Sequence, residues 1–561
     1  MKLVSAISII GTLIGGVVLS LLFVRIYPSD DLLNRLYGAV FLAVFCTMGM
    51  FVYSFTASSW RQMLLRSYGW WPLPLLWLLL WGGRTMKVPL TRRMSDLHRS
   101  AGAFLGVFLF VIMLSGTWSL GSDALRLWWN KAPLSGELLP LSQLLTLQPE
   151  AALVQLPQSA NPTITFCLGM GQCDNSYSAI TGQALAQNTP AMWLVTLHKN
   201  LFIDFPGRIL ISLFGFALAV LLISGFIINR RKLASMMRLP RRLNLRLFIH
   251  DLHNWLGLWC YPWLILFAVT GALSGLGALG TVGLASSVSP DNPQLVMQQL
   301  MGGFRKVDNH QVVLREHQPE QVFEWLKQTY PSFTPQTLMR QGDSLVIGGV
   351  HAGQPGSANF EQYRFDLNEG RLVGVRDSSD HAFWTRAFIS IQPLHYGQYQ
   401  WLPNVETLFS VLHFIAGFSG CVLVASGLAM WCWRHAASRI AGGIVGCCGG
   451  LLLSVSALLV VMSLSLTLPI SAFFLCWGGI FILCLVIKNA RKMLILIAAL
   501  STLLFFIAFI FSLWQQPAGF NRIDVMLLFC GLFLLLTLGC VAKLSATQKS
   551  GRSGYERSVT E

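Results

Sequence analysis

Residues 96–106 read "DLHRSAGAFLG", and residues 251–261 read "DLHNWLGLWCY". Each stretch carries a histidine, His98 or His253, at the entry to a long apolar run. Each has a glycine four positions on, Gly102 or Gly257. The runs align without a gap and close on a small hydroxyl residue followed by glycine, Ser115-Gly116 and Thr270-Gly271. Two later runs, "LFGFALAVLLISG" and "IAGFSGCVLVASG", echo one another more weakly through Gly215/Gly417 and Ser224-Gly225/Ser426-Gly427. Upstream of each stands Leu-His: Leu197-His198 and Leu394-His395. Residues 96–434 are therefore two tandem copies of one unit, which implies a pseudo-two-fold axis along the membrane normal.

Composition sets the class. The chain has 561 residues, 54% of them hydrophobic and 11% charged. Several apolar runs exceed the roughly 18 residues expected of a spanning helix. The reading is a mainly α, polytopic membrane protein with about ten spans, at 4–24, 36–56, 102–122, 207–229, 254–276, 406–433, 441–463, 466–487, 493–514 and 524–543. "WWPLPLLWLLLWGG", within 57–99, is too short to span and reads as interfacial or re-entrant. The net charge of +16 follows the positive-inside rule rather than nucleic-acid binding, because the basic clusters flank helix ends. Residues 57–99 carry seven Lys or Arg against the single acid Asp96, and 229–250 carry seven and no acid. Both segments are thus expected in the cytoplasm, with both termini. The N-terminal run lacks a small-residue cleavage site and reads as a retained span. No outer-membrane strand pattern occurs, so a bacterial inner membrane is the expected home.

The expected organisation is two N-terminal spans with an interfacial segment (1–93), core helix 1 (94–122), a first external domain (123–205) and core helix 2 (206–232). A basic loop (233–250), core helix 3 (251–276), a second external domain (277–405) and core helix 4 (406–435) follow. Four C-terminal spans (436–545) and a cytoplasmic tail (546–561) complete it. The second external segment reads as α+β. "QPEQVFEWLKQTY" has a helical apolar face, and "TLMRQGDSLVIGGV" and "QYRFDLNEGRLVGV" read as strands with tight turns. "YSAITGQAL" gives the first segment a similar end. Cys167 and Cys173 in "CLGMGQC" are expected to form a local disulfide. The other ten cysteines read as small buried residues.

A lone histidine at a helix end is ordinarily an interfacial polar residue. Two in register on symmetry-related helices point further. Neutral imidazole is the axial ligand for a haem held between helices, and a glycine at i+4, on the same face, leaves room for the porphyrin. Zinc fits less well, because two histidines do not fill a tetrahedral shell. His98 and His253 lie at the cytoplasmic ends and His198, His395 and His413 near the outer face. His413 is 21 residues before Arg434, about 31 Å along a helix, and has Gly417 at i+4. A second, outer haem thus has three candidate ligands. His250 and His435 flank the basic loops; His310, His317, His351 and His381 read as surface residues of the second external domain.

The ordered set "LHRSAGAFLG…LSG", "LHKNLFIDFPGRILISLFG…ISG", "LHNWLGLW…VTG" and "PLHYGQY…ASG" resembles the PepSY-associated transmembrane family over residues 94–435. Its members include haem-containing inner-membrane siderophore-iron reductases. The resemblance implies two small PepSY-like external domains and a four-helix core with two b-type haems. It implies His98, His253, His198 and His395 as haem-iron ligands, with His413 the alternative to His395. It also implies an oxidoreductase that passes electrons from a cytoplasmic donor or quinol to a periplasmic ferric chelate or siderophore. Reduction to Fe(II) loosens a hard, oxygen-rich chelate. No nucleotide-binding glycine fingerprint occurs, and no Cys-x-x-Cys-His motif would attach haem covalently. The rival readings are a non-enzymatic membrane binding or regulatory protein and a transporter accessory. Against a transporter, the spans hold few buried charges and no obvious broken-helix pair.

Overall fold

The computed structural model describes residues 2–560 apart from 58, 73, 75–88, 159–160, 169–172, 174, 231–239, 242–243, 308–318, 436–437, 488 and 516–520. Most of the expected interfacial segment, together with His310 and His317, lies outside the described residues. Among the described residues, nine helices are long and apolar enough to cross a membrane. These are α1 (Lys2–Ile26), α2 (Leu32–Phe55), α3 (Leu90–Ser119), α5 (Asp204–Asn229), α7 (Tyr261–Val288), α9 (Glu406–Arg434), α10 (Arg439–Ser463), α12 (Ala490–Gln515) and α13 (Arg522–Thr560). Three shorter helices matter to the site: α4 (Pro190–Asn200), α6 (Leu245–Trp259) and α8 (Ile391–Tyr396). The expected tenth span is a 17-residue apolar helix, α11 (Ile470–Val486). At 1.5 Å per residue it reaches about 26 Å, short of a hydrocarbon core of about 30 Å.

The expected third core span at 254–276 also differs. The chain breaks at Cys260 between α6 and α7. Pro262, in the first turn of α7, has no N–H to offer the preceding turn, and the helix breaks just before it. His253 therefore sits on α6, ahead of the spanning helix, and α7 runs on to Val288.

The two copies pack as a four-helix core: α3 against α5 and α9, and α5 against α7. Small residues set the spacing. A Cβ on Gly215 of α5 would stand 2.7 Å from the Ala272 nitrogen of α7, so the two backbones meet there. Ser212 Oγ accepts the Gly275 N–H at 2.9 Å across the same contact. Helices outside the core add to it. Phe505 of α12 stacks on Trp118 of α3 at 5.9 Å, and Phe529 and Phe533 of α13 meet Phe418 of α9 edge-on. At the other flank, Asp31 caps α2 and also accepts from His381 Nδ1 at 3.1 Å. Asn34 Oδ1 accepts the Trp384 N–H at 2.9 Å.

The two long segments outside the bundle do not form separate domains. The first gives β1 (Leu153–Gln155), β2 (Thr163–Cys167), β3 (Asn175–Ser178) and β4 (Ala184–Leu185). The second gives β5 (Arg305–Lys306), β6 (Phe333–Gln341), β7 (Ser344–His351), β8 (Gln362–Asp366) and β9 (Arg371–Arg376). All nine lie in one sheet, ordered β4-β3-β2-β1-β6-β7-β8-β9-β5, joined where β1 runs antiparallel to β6. Two separate sheets would each leave a strand edge with unpaired peptide groups; joining them covers both. One core, including Val154, Ile164, Phe166, Leu338, Ile347 and Phe365, runs under both halves and is closed by Val322 and Leu326 of the helix Pro319–Thr329. Cys167, at the end of β2, is disulfide-bonded to Cys173. His351 is buried in this lobe rather than on its surface, at 6% exposure.

The junction makes a test. Gln155 of β1 pairs with Thr337 of β6. The flanking hydrogen bonds, Arg340 N–H to Ala152 and Leu156 N–H to Gln336, make this a non-hydrogen-bonded pair, with Cα atoms about 4.5 Å apart. The double variant Gln155→Cys/Thr337→Cys should cross-link on oxidation, seen as fragments held together on a non-reducing gel after cleavage between the segments. Cross-linking no greater than in the single variants would show that the halves do not share a sheet.

Candidate functional site

The four repeat histidines meet in two pairs. His98 of α3 and His253 of α6 stand with ring centroids 6.2 Å apart and planes at 78°. His198 of α4 and His395 of α8 stand 6.1 Å apart with planes at 16°. Each copy supplies one member of each pair. Along α3, His98 and Gly116, which seats His198, are separated by 18 positions, or about 27 Å. The pairs thus sit near opposite ends of a bundle of membrane thickness.

Every ring is held through Nδ1. His98 Nδ1 donates to the Leu221 carbonyl at 3.0 Å, beside Ser224 Oγ at 3.0 Å. His253 Nδ1 donates to the Leu423 carbonyl at 2.9 Å, beside Ser426 Oγ at 3.0 Å. His198 Nδ1 donates to the Ile112 carbonyl at 2.9 Å. His395 Nδ1 donates to Thr270 Oγ1 at 2.8 Å, because the Thr270 proton is given to the Leu266 carbonyl. A carbonyl only accepts, so the proton is on Nδ1 and the lone pair on Nε2. None of the four Nε2 atoms has a hydrogen-bond partner among the described residues. Burial pulls the His395 imidazole down to about 3, with His198 and His413 adding to it, and lowers His198 as well. Both rings are therefore neutral, as a metal ligand must be.

The hydroxyl–glycine pairs that close the four apolar runs are the seats. A Cβ on Gly225 or Gly427 would lie 3.3 or 3.2 Å from Cε1 of His98 or His253. On Gly116 or Gly271 it would lie 2.5 or 3.2 Å from Cε1 of His198 or His395. Ser224, Ser426 and Thr270 add hydroxyls to the same rings. The sequence marks these dipeptides as the ends of a repeat; their contact with the histidines of neighbouring helices is a tertiary fact. Gly102 and Gly257 face open space by comparison. A Cβ there would meet only Leu221 Cδ2 at 3.9 Å or Leu423 Cδ1 at 3.6 Å.

His413 stands behind His395 rather than opposite His198. It is fully buried, with Nδ1 on the Tyr399 hydroxyl at 2.9 Å and Nε2 on the His395 carbonyl at 3.3 Å. Its ring lies against Gly397, which ends α8 in the left-handed region at φ 65°, where a side chain would be 2.9 Å from His413 Cδ2. Gly417 serves packing: a Cβ there would be 2.8 Å from Thr117 Oγ1 of α3. His198 is carried by a strained turn. Leu201, Phe202 and Asp204 all adopt left-handed φ, at 53°, 60° and 52°, a conformation that costs about 1 kcal/mol or more for each non-glycine residue. His250 lies beside Asp251 and Asn254 near the basic loop, and His435 stacks on Trp431.

Two metal–imidazole bonds of about 2 Å each, with a ring radius at either end, span the 6.2 and 6.1 Å centroid distances. Each pair thus has the spacing of two imidazoles that share one metal ion. Among the described residues, neither pair has a third His, Cys, Asp or Glu close enough to complete a shell; the one such cluster of three is His351, Glu361 and Asp377, in the lobe. The donor set suits an ion that brings its other ligands with it, as haem iron does. The His198–His395 pair opens into a cavity of about 760 Å³ between bundle and lobe. Lys199, Arg208, Arg522, Asp123 and Glu406 line it, and Gln158, Asn161, Gln336 and Asn359 of the lobe face it. Sequence reasoning missed Arg522, because it opens α13, 127 positions from His395.

Residues 95–434 match the family described as the PepSY-associated TM region. Over 287 residues the chain is 39% identical to the uncharacterized protein PA4219 of Pseudomonas aeruginosa, an alignment covering 48% of this chain and 72% of that one. The family match encloses all five histidines of the two sites and leaves α1, α2 and α10–α13 outside. Two tandem helical units, the histidine motifs at their ends and the segments between them all fall inside one family pattern, and the chain is a multi-pass membrane protein of the PepSY-associated transmembrane family.

Proposed function

We propose that the chain is a transmembrane electron carrier with two b-type haems, one held by His98 and His253 and one by His198 and His395, and that it reduces a ferric chelate such as a siderophore in the cavity beside the second pair. The observation that carries this reading is the set of four imidazoles with Nδ1 spent, Nε2 bare, and partners one metal ion apart. Haem at these positions supplies one-electron transfer. The chain's own part is to fix the rings. The Leu221 and Leu423 carbonyls take the Nδ1 protons, which holds the tautomer and raises the basicity of Nε2. The cavity's amides and its cations Lys199 and Arg208 suit an oxygen-rich, anionic chelate. The basic end is then cytoplasmic in a bacterial inner membrane, the lobe is periplasmic, and a quinol or flavin on the basic side is the electron source.

Purified protein should give a b-type pyridine haemochrome with two haems per chain. Protein that folds but contains no haem would refute the reading. Reduced protein mixed with a ferric siderophore should reoxidise while Fe(II) appears in a chelator assay; no reoxidation would remove the reductase part and leave the haem sites standing.

Ring orientation separates the two haems. Near-perpendicular imidazoles keep the iron d orbitals nearly degenerate, and near-parallel ones split them. Low-temperature electron paramagnetic resonance of the oxidised protein should therefore show one strongly anisotropic low-spin signal with a large g maximum and one rhombic low-spin signal. His98→Ala or His253→Ala should remove only the first. Loss of the rhombic signal in those variants would reverse the assignment.

The same spectra test the supporting role of His413. His395→Ala should convert the rhombic signal to high spin or abolish it. His413→Ala should keep a low-spin signal, shifted because the His395 carbonyl has lost its partner. The opposite pattern would make His413 the ligand.

A further inference from the structure

We propose that His351, Glu361 and Asp377 form a binding site for one divalent transition-metal ion in the lobe, separate from both histidine pairs, and that this ion clamps the loop 352–360 that walls the cavity beside His395. The register of the sheet brings these residues together. His351 ends β7, Glu361 stands immediately before β8, and Asp377 immediately follows β9. Gln362 pairs with Arg376, so Glu361 and Asp377 are cross-strand neighbours at the same sheet end. Two carboxylates in that relation repel. Glu361 is also fully buried, and burying an unpaired carboxylate is costly.

Their cationic neighbours Arg305 and Arg376 act on them only from a distance. Among the described residues, neither carboxylate has a lysine or arginine within ion-pair distance. Arg376, the nearest on the sheet, gives its N–H groups to the Gln299 and Leu300 carbonyls and lies over the Phe360 ring. Arg305 pairs with Asp380, and His381 with Asp31. Glu361 accepts from Ser378, whose N–H lies 3.0 and 3.2 Å from its two oxygens. Burial, reinforced by Asp377, pushes its carboxyl up to about 7. A metal cation is the partner this arrangement lacks.

The donor geometry suits one. One ligand atom from each of the three residues lies within 4.8 Å of the others, and His351 Nε2 is 3.8 Å from Asp377 Oδ2. Ligands around a metal at about 2 Å stand about 3–4 Å apart, so the closure needed is at most about 1–2 Å. Ser332 Oγ holds His351 Nδ1 at 3.0 Å, which turns Nε2 inward toward the carboxylates. The Tyr363 hydroxyl, now 3.1 Å from Nε2, would give way or become a fourth donor. One imidazole with two carboxylates suits zinc, iron(II) or manganese(II) rather than calcium or copper(I).

The consequence follows from the loop between the ligands. Gly356, Ser357 and Asn359 line the same cavity as His198 and His395. The Gly353 N–H donates to the Trp401 carbonyl at 2.7 Å, and Ser390 Oγ donates to the Pro355 carbonyl at 3.0 Å. The loop is thus tied on both sides of α8. An ion joining His351 to Glu361 would fix both ends of this wall.

The test uses the full-length protein in detergent, stripped with a chelator, with zinc as the probe. Equilibrium dialysis followed by elemental analysis should find one zinc per chain lost on substitution at this site. Glu361→Gln keeps an acceptor for Ser378, and His351→Gln keeps polarity; each should weaken zinc binding at least tenfold while eluting as monodisperse protein. Zinc should also slow proteolytic cleavage within 352–360 in the unsubstituted protein and not in the variants. Undiminished zinc binding in both variants, or no zinc bound by well-folded unsubstituted protein, would overturn the proposal. None of these readings depends on haem, so failure here leaves the electron-carrier reading intact.

Discussion

A histidine ring buried among apolar helices must give its N–H to some acceptor, since leaving it unpaired costs about 1–3 kcal/mol. In this chain the acceptor decides everything that follows. Leu221, Leu423, Ile112 and Thr270 each take one Nδ1 proton. That choice leaves Nε2 as the bare lone pair and sets the rotation of each ring. Glycine under each Cε1 leaves room for this approach, most sharply at Gly116. Each copy of the repeat holds both of its own histidines in this way: His98 on Gly225 and His198 on Gly116 in the first, His253 on Gly427 and His395 on Gly271 in the second. A pair forms only when the two copies face one another.

The two ends of the bundle are built differently. His98 projects from the spanning helix α3 and His253 from α6, which leads into α7, so both are carried on long helices. His198 and His395 ride on short helices outside the spans and need props. A run of left-handed residues turns the chain after His198. His413, Tyr399 and Gly397 brace the segment of His395. The cavity beside this second pair draws on both halves of the sheet, on the core, and on Arg522 of a helix outside the family match. One of the added helices therefore helps to wall this cavity. The C-terminal ones also bury Trp118 and Phe418, and the N-terminal ones lock onto the lobe through Asp31 and Asn34.

Much of this was legible in the sequence, because it is written in local patterns. Apolar run length gave most of the spans, and Asp-Leu-His-x-x-x-Gly gave the repeat and its two inner histidines. Strand alternation and turn residues gave β6 to β9 and the helix Pro319–Thr329, and the spacing of Cys167 and Cys173 gave the disulfide. Local patterns also misled. Hydropathy alone ran one span through Pro262, where the missing N–H breaks the helix. His351 read as a surface residue of the second external domain, yet the sheet buries it.

The sequence by itself determined the class of molecule, its duplication and the residue types available for chemistry, since each depends on neighbours a few positions apart. The tertiary structure alone decided which histidines meet. His395 and His413 are both near a helix end with a glycine close by, and only the fold of the segment between them turns one toward His198 and the other toward its backbone. It alone joined β1 to β6, because an open strand edge has no sequence address for its partner. It alone brought Glu361 beside Asp377, 16 positions apart, through the register of one hairpin. Contacts between distant segments follow from how helices and strands dock, and that is set by the whole packed chain.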